Sequence, residues 1–287
     1  MKIILLVLAL FFTNVCYAQE KVVLQELPNF FPVSELKPVD PNLSWYRWKT
    51  KNFIIHSIDV SQGEKIYELS EIIKTDFFYQ WGLEDFDFSC DTAVFIAPNK
   101  EMMKELFNLD YSCAESRVNG DTRINYMWII LDKDVFSVAP SVFGMICLSE
   151  LENRHKFKMD WWMHRGINFL SLSPEQIRER VLSSKSEFLP VDKFFNTNQS
   201  DWNLLNKDAK RAFDDQAMFA CLMVRKEYGQ FNFQHFMKRK GVDSIKLIGF
   251  NDQEFNKVLA EYSSYLKQDV VSGKAPMHYL KISRAKE

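Results

Sequence analysis

Glycine is scarce in this chain, with nine residues among 287, and no glycine-rich loop is present to cradle a nucleotide phosphate. No Gly-x-Ser-x-Gly segment marks a nucleophile elbow, and no cysteine–histidine arrangement has a recognisable catalytic context. Cys-x-x-Cys pairs are also missing, which argues against a cysteine zinc site. Charge of either sign lacks an excess: 36 Lys and Arg face 38 Asp and Glu, for a net charge of −2. Such a balance carries no electrostatic footprint for nucleic acid, and the short run Lys238-Arg239-Lys240 reads as a solvated helix end. After the first 18 residues no segment is apolar enough to anchor the chain in a membrane.

What the chain does have is aromatic and aliphatic mass. Hydrophobic residues make up 47% of it, with 25 phenylalanines, enough for a large aromatic core. Its first 18 residues have the form of a secretory signal peptide: Lys2, the apolar stretch Ile3 to Phe12, and Cys16-Tyr17-Ala18 as a small-residue cleavage site. Cleavage near Ala18 predicts an exported protein, periplasmic or extracellular. It leaves Cys90, Cys113, Cys147 and Cys221, and an oxidising compartment permits disulfides. Cys90 and Cys113 flank one small αβ unit and make the favoured pair. Cys147 and Cys221 sit on apolar helix faces, where buried free thiols are expected.

Residues 19–44 hold Pro28, Pro32, Pro38 and Pro41 and read as an extended arm. Alternating residues predict strands over 45–49 and 53–58, joined by the turn Thr50-Lys51-Asn52. Ser61-Gln62-Gly63-Glu64 looks like a capping box opening a helix that runs to Gly82. A buried strand over 92–97, a short helix capped by Asn99, a loop or hairpin over 111–121 and a strand over 126–131 follow. This order predicts a small mixed sheet with helices on one face. Helical periodicity then takes over, with helices over 140–155, 159–172 and 207–228, a start at Ser173-Pro174, and further helices over 231–240 and 252–267. Residues 187–206 read as irregular. The resulting division is a signal peptide (1–18), the arm (19–44), an αβ N-terminal lobe (45–138), a helical lobe (139–270) and a C-terminal tail (271–287).

The most informative segment is Cys147-Leu-Ser-Glu-Leu-Glu-Asn-Arg-His155, followed by Trp161-Trp-Met-His-Arg-Gly-Ile-Asn-Phe-Leu170. It resembles the two-helix active site of gluzincin-like (peptidase MA-like) metallopeptidases, whose His-Glu-x-x-His helix is followed by a Trp-x-x-Glu-Gly-x-Ala-like segment. The matching positions are Ser149, Glu150, Asn153, Trp162, Arg165 and Gly166. The strand pair over 45–58 with its helix, and the helices around Asp215 to Gly229 and Phe250 to Leu266, extend the likeness over about residues 45–270. The resemblance implies an α+β fold of gluzincin or thermolysin type, a small mixed β-sheet lobe followed by a helical lobe.

It also implies what has been lost. A zinc peptidase needs three ligands and one open position for the attacking water. Here Ser149 and Asn153 replace both histidines, and Arg165, a permanent cation, stands in place of the third ligand. Glu150 remains as a vestigial general base. No metal and no cofactor is expected, and Glu150 and Arg165 are expected to form an ion pair that clamps the two helices. The implied function is that of a pseudopeptidase of the bacterial cell envelope, binding a protein or peptide partner. The alternative is a divergent zinc metallopeptidase using unconventional ligands drawn from Glu152, His155 and His164. Asp214 and Asp215 read as solvated acids, and His56, His235 and His278 carry no role.

Overall fold

The computed structural model describes residues 20–22, 44–81, 85–119, 121–131, 135–172, 174–185, 187–228 and 252–273. The signal peptide, most of the arm, the helix expected over 231–240 with its basic run, His235, His278 and the tail beyond residue 273 lie outside the described residues.

A mixed sheet forms the N-terminal part and helices form the rest. The sheet has six strands: β1 (Glu20–Val22), β2 (Trp45–Lys49), β3 (Phe53–Ser57), β4 (Thr92–Ala97), β5 (Cys113–Asn119) and β6 (Thr122–Ile130). Their spatial order is β1-β2-β3-β4-β6-β5. The central strands β3, β4 and β6 run parallel, and the flanking strands pair antiparallel. Of the loop or hairpin expected over 111–121 the structure has the hairpin: β5 turns into antiparallel β6 and lies at one edge of the sheet. The arm contributes β1 to the opposite edge.

Helix α1 (Val60–Gln80) starts two residues earlier than the Ser61 box suggested, because the Asp59 carboxylate caps the Gln62 N–H at 3.0 Å. Helix α2 (Lys100–Phe107) is capped by Asn99, whose Oδ1 accepts from the Met102 N–H, and ends at Asn108 in the left-handed conformation. The two lie on opposite faces of the sheet, not on one. Along β4, Val94 and Ile96 pack with Ile66 and Ile73 of α1, while Phe95 and Ala97 pack with Met103 and Leu106 of α2. A strand buried on both faces shows no alternation, so the sequence pattern could not reveal the second layer.

Helices α3 (Val135–His155), α4 (Trp161–Leu170), α5 (Pro174–Ser183), α6 (Val191–Asn196), α7 (Gln199–Leu204), α8 (Lys207–Tyr228) and α9 (Asp252–Val271) make the helical part. The span read as irregular holds α6 and α7, each too short to show a periodicity. The C-terminal end of α1 joins the helical core through Phe77, Phe78 and Trp81, together with residues of α3, α4, α8 and α9. Gly166 is where α4 meets α8. A Cβ there would sit 2.4 Å from both the Ala217 carbonyl oxygen and Cys221 Sγ, so only glycine permits this approach.

The favoured Cys90–Cys113 disulfide does not form; the four described cysteines are free. The register explains it. Cys113 pairs with Trp128, which lies beside Phe95, whereas Cys90 precedes the start of β4 at Thr92. The two thiols thus stand two strands and several residues apart, roughly 15–20 Å, where a bridge needs Cα atoms within about 7 Å. Cys147 and Cys221 are buried, and burial pushes both thiols up.

His56 on β3 is buried and stacks on Phe95 at 4.9 Å between ring centroids. Burial, aided by the nearby Arg47, lowers its pKa from 6.5 to about 4. The folded state thus holds the neutral form while the unfolded chain takes up a proton as pH falls below 6.5. Stability is unaffected above pH 6.5, declines between 6.5 and about 4, and loses roughly 3 kcal/mol in total from this group. Urea unfolding of the wild type and His56→Leu across pH 7 to 4 checks this: the variant's slope should be visibly flatter. Parallel slopes would show that other groups set the acid limb.

Candidate functional site

Helix α3 presents different faces to its surroundings. Ser141, Met145, Ser149 and Glu152 recur at three- to four-residue intervals and form one stripe facing a groove beside β5. Glu150, one position on, is turned by about 100° from that stripe into the interior between the helix and the sheet.

There Glu150 is 1% exposed. Its Oε2 accepts from the Ser89 N–H and Oγ–H, both at 2.8 Å. Its Oε1 accepts from Asn125 Nδ2 at 2.8 Å and from Cys90 Sγ at 3.7 Å. Its counter-charge is Arg123, with Nη1 3.2 Å from Oε1. The other end of that guanidinium, Nη2, donates to Ser149 Oγ at 2.9 Å and to the Ser149 carbonyl at 3.2 Å. Ser149 Oγ also shares a hydrogen bond of 2.9 Å with Ser116 Oγ on β5. Asn153 Nδ2 donates to Ser89 Oγ at 3.0 Å. Burial and the Glu150 charge together push the Cys90 thiol up to about 11, so it stays protonated and unreactive at neutral pH.

The expected Glu150–Arg165 clamp is replaced by two separate pairs. Arg165 donates from Nε to Asp214 Oδ1 at 2.9 Å and from Nη2 to Asp214 Oδ2 at 2.8 Å, a bidentate pair. Trp202 Nε1 donates to the same carboxylate at 3.2 Å. The guanidinium carbon lies 4.4 Å from the Trp202 ring centroid and 5.0 Å from that of Phe169. The physical reason is the helical phase: Arg165 faces the groove, while Glu150 faces the sheet, where β6 supplies Arg123. Asp214 and Asp215 are accordingly not solvated acids. Both are buried, and Asp215 is paired with Arg180 at 2.6 Å. Trp162 and Gly166 lie in the helical core, Trp162 against Phe194 and Phe195.

The groove has two connected sections. One, a cavity of about 540 Å³, is walled by aromatic side chains including Trp128, Trp161, Phe169 and Trp202, with Arg165 among them. The other, of about 810 Å³, is walled by Ser149, Glu152, Asp160, His164 and the amide-bearing segment Asn196 to Gln199. Ala114, Glu115, Met145, Trp161 and Gln199 border both. Strand β5 forms one wall of each.

The side chains do not suit zinc. Ser149 is held by Ser116 and Arg123, Asn153 by Ser89, and Arg165 by Asp214, and only Ser149 and Arg165 of these line the groove. Glu152 and His164 do come together at 3.7 Å, with His164 stacked on Trp161, but His155 is exposed at the helix end. Among the described residues no three His, Cys, Asp or Glu side chains group as a metal site.

Sequence reasoning missed Ser89, Ser116, Arg123, Asn125, Trp202 and Asp214. Arg123 and Asn125 carried a signal, since two polar residues at i and i+2 on an otherwise apolar strand share one face and imply a partner there. No protein-family model matches the chain, and no curated protein aligns with it.

Proposed function

We propose that this chain is an exported, catalytically inactive relative of the gluzincin-like peptidases that binds a protein or peptide partner in the cell envelope through the groove beside β5. The single observation that supports the reading most is that β5, which among the described residues pairs with β6 alone, borders both parts of the cavity. An unpaired edge presents backbone N–H and C=O groups that an extended segment can complete, and the cavities alongside can receive alternate side chains. The inactive half of the reading rests on the fate of the former catalytic positions. Glu150 is buried and saturated with donors, and Ser149, Asn153 and Arg165 are each committed to protein partners. No helix of the described residues is long and apolar enough to cross a membrane.

The test uses the purified mature protein and a displayed random heptapeptide library. Enrichment of mutually competing peptides is expected, and Met145→Trp, which fills the junction of the two cavity sections, should abolish it while leaving the circular dichroism spectrum intact. The proximity of Glu152 and His164 supports a second reading, a divergent zinc peptidase. Stoichiometric zinc, with peptide hydrolysis lost on chelation and lost in His164→Ala, would establish that reading and overturn ours.

A further inference from the structure

The two sections of the groove differ in chemistry, and the difference specifies a ligand. Around the first section stand Trp161, Trp202, Phe169 and Trp128, and of the two arginines that line it Arg165 is already neutralised by the bidentate Asp214 pair. Arg117, at its mouth, is likewise paired with Glu115 and lies over Tyr126 at 5.5 Å. This space offers ring faces and methyl groups but no unspent charge. It suits a bulky apolar or aromatic side chain, which gains from burial and from stacking on these rings.

The second section has the opposite character. Glu115, Glu152 and Asp160 line it against the single ammonium of Lys158; Glu115 is paired with Arg117, and Glu152 accepts from the Met159 N–H and has His164 beside it. Its remaining wall is the polar segment Asn196 to Gln199. The balance is acidic, and a cationic side chain complements it.

Helix α3 fixes the spacing. Its Ser141 and Val142 border only the aromatic section, its Ile146, Ser149 and Glu152 only the acidic one, and Met145 both. The centres of the two sections are thus about five residues apart along the helix, roughly 8 Å. In an extended ligand, side chains on one face recur every two residues, about 7 Å. We infer that the groove selects extended peptide segments carrying a bulky aromatic or aliphatic residue and, two positions away on the same face, a lysine or arginine. This rests on the peptide-binding reading above and names the class of segment that would satisfy it.

The experiment uses fluorescein-labelled heptapeptides on a Ser/Thr frame, with Trp or Ala at position 3 and Lys, Ala or Glu at position 5 or 1, measured by fluorescence anisotropy. The Trp/Lys peptide is expected to bind at least tenfold tighter than Ala/Lys and at least fivefold tighter than Trp/Glu, with the second ratio shrinking at 0.5 M salt. Glu152→Gln should reduce the Lys preference and leave the Trp preference in place. If all heptapeptides bind with similar affinity, strand addition stands and the side-chain selection is wrong. If Trp/Glu binds as well as Trp/Lys, the acidic section does not read charge and the inference is overturned. If no heptapeptide binds, the peptide-binding reading fails, and this inference with it.

Discussion

Glu150→Ala should destabilise the protein by about 3–5 kcal/mol, a far larger effect than removing a solvent-facing catalytic base would have. The carboxylate is the acceptor for Ser89, Asn125 and Cys90 and the counter-charge of Arg123. Its removal leaves a guanidinium only 18% exposed without its carboxylate, and buried Asn125 without an acceptor. Glu150→Gln keeps the shape and one acceptor oxygen but turns an amide N–H₂ toward groups that are themselves donors, so a loss of roughly 1–3 kcal/mol is expected. The double variant Glu150→Leu, Arg123→Met should be less destabilised than Glu150→Ala, because it removes both charges and restores apolar volume. Urea unfolding at pH 7 measures all three. A loss below about 1 kcal/mol for Glu150→Ala would falsify the structural role and return this residue to the list of candidate bases.

That result would also define what the two-helix motif has become. In the peptidases proposed above as its relatives, a metal joins the two helices. In this chain α3 is tied to the sheet by Glu150, Ser149 and Asn153, and α4 is tied to α8 by Arg165 and by the close contact at Gly166. The groove lies between β5 and the helices so tied.

How much of this could be seen in the sequence follows from which interactions are local. The strand over 45–49, the buried strand over 92–97, the Asn99 cap and the helix over 207–228 all rest on periodicity or on a cap within a few residues, and the structure has them at those positions. The importance of the 147–170 segment was legible because residue types at fixed spacing define faces. The face itself was not. Whether Ser149 or Glu150 looks into the groove depends on how α3 is rotated against the sheet, which Val142, Phe143 and Ile146 set by packing on β-strand residues far away in sequence. The partners Ser89, Arg123 and Asp214 come from a loop before β4, from β6 and from α8, so no spacing within the motif could name them. The same holds for β5: residues 113–119 mix cysteine, charge and hydroxyl and show no clean alternation, because an edge strand with a cavity on one side has no uniformly buried face.

The second large effect is expected at Arg165. Arg165→Met should cost about 3–5 kcal/mol, since Asp214 is buried and, among the described residues, would retain only the Trp202 indole N–H. Arg165→Lys restores the charge but neither the bidentate geometry nor the stacking on Trp202 and Phe169, and should recover less than half of that loss. The pair Arg165→Met, Asp214→Leu separates ion-pair energy from packing: a coupling of about 2 kcal/mol or more between the two sites is expected in the double-mutant cycle. A purely structural pair would stop there. Because Arg165 and Trp202 also wall the aromatic section of the groove, the Arg165→Lys protein should additionally lose affinity for the Trp-bearing heptapeptide while its affinity for the Ala/Lys control stays unchanged. Equal losses for both peptides would mean that the pair holds α4, α7 and α8 together without shaping the pocket.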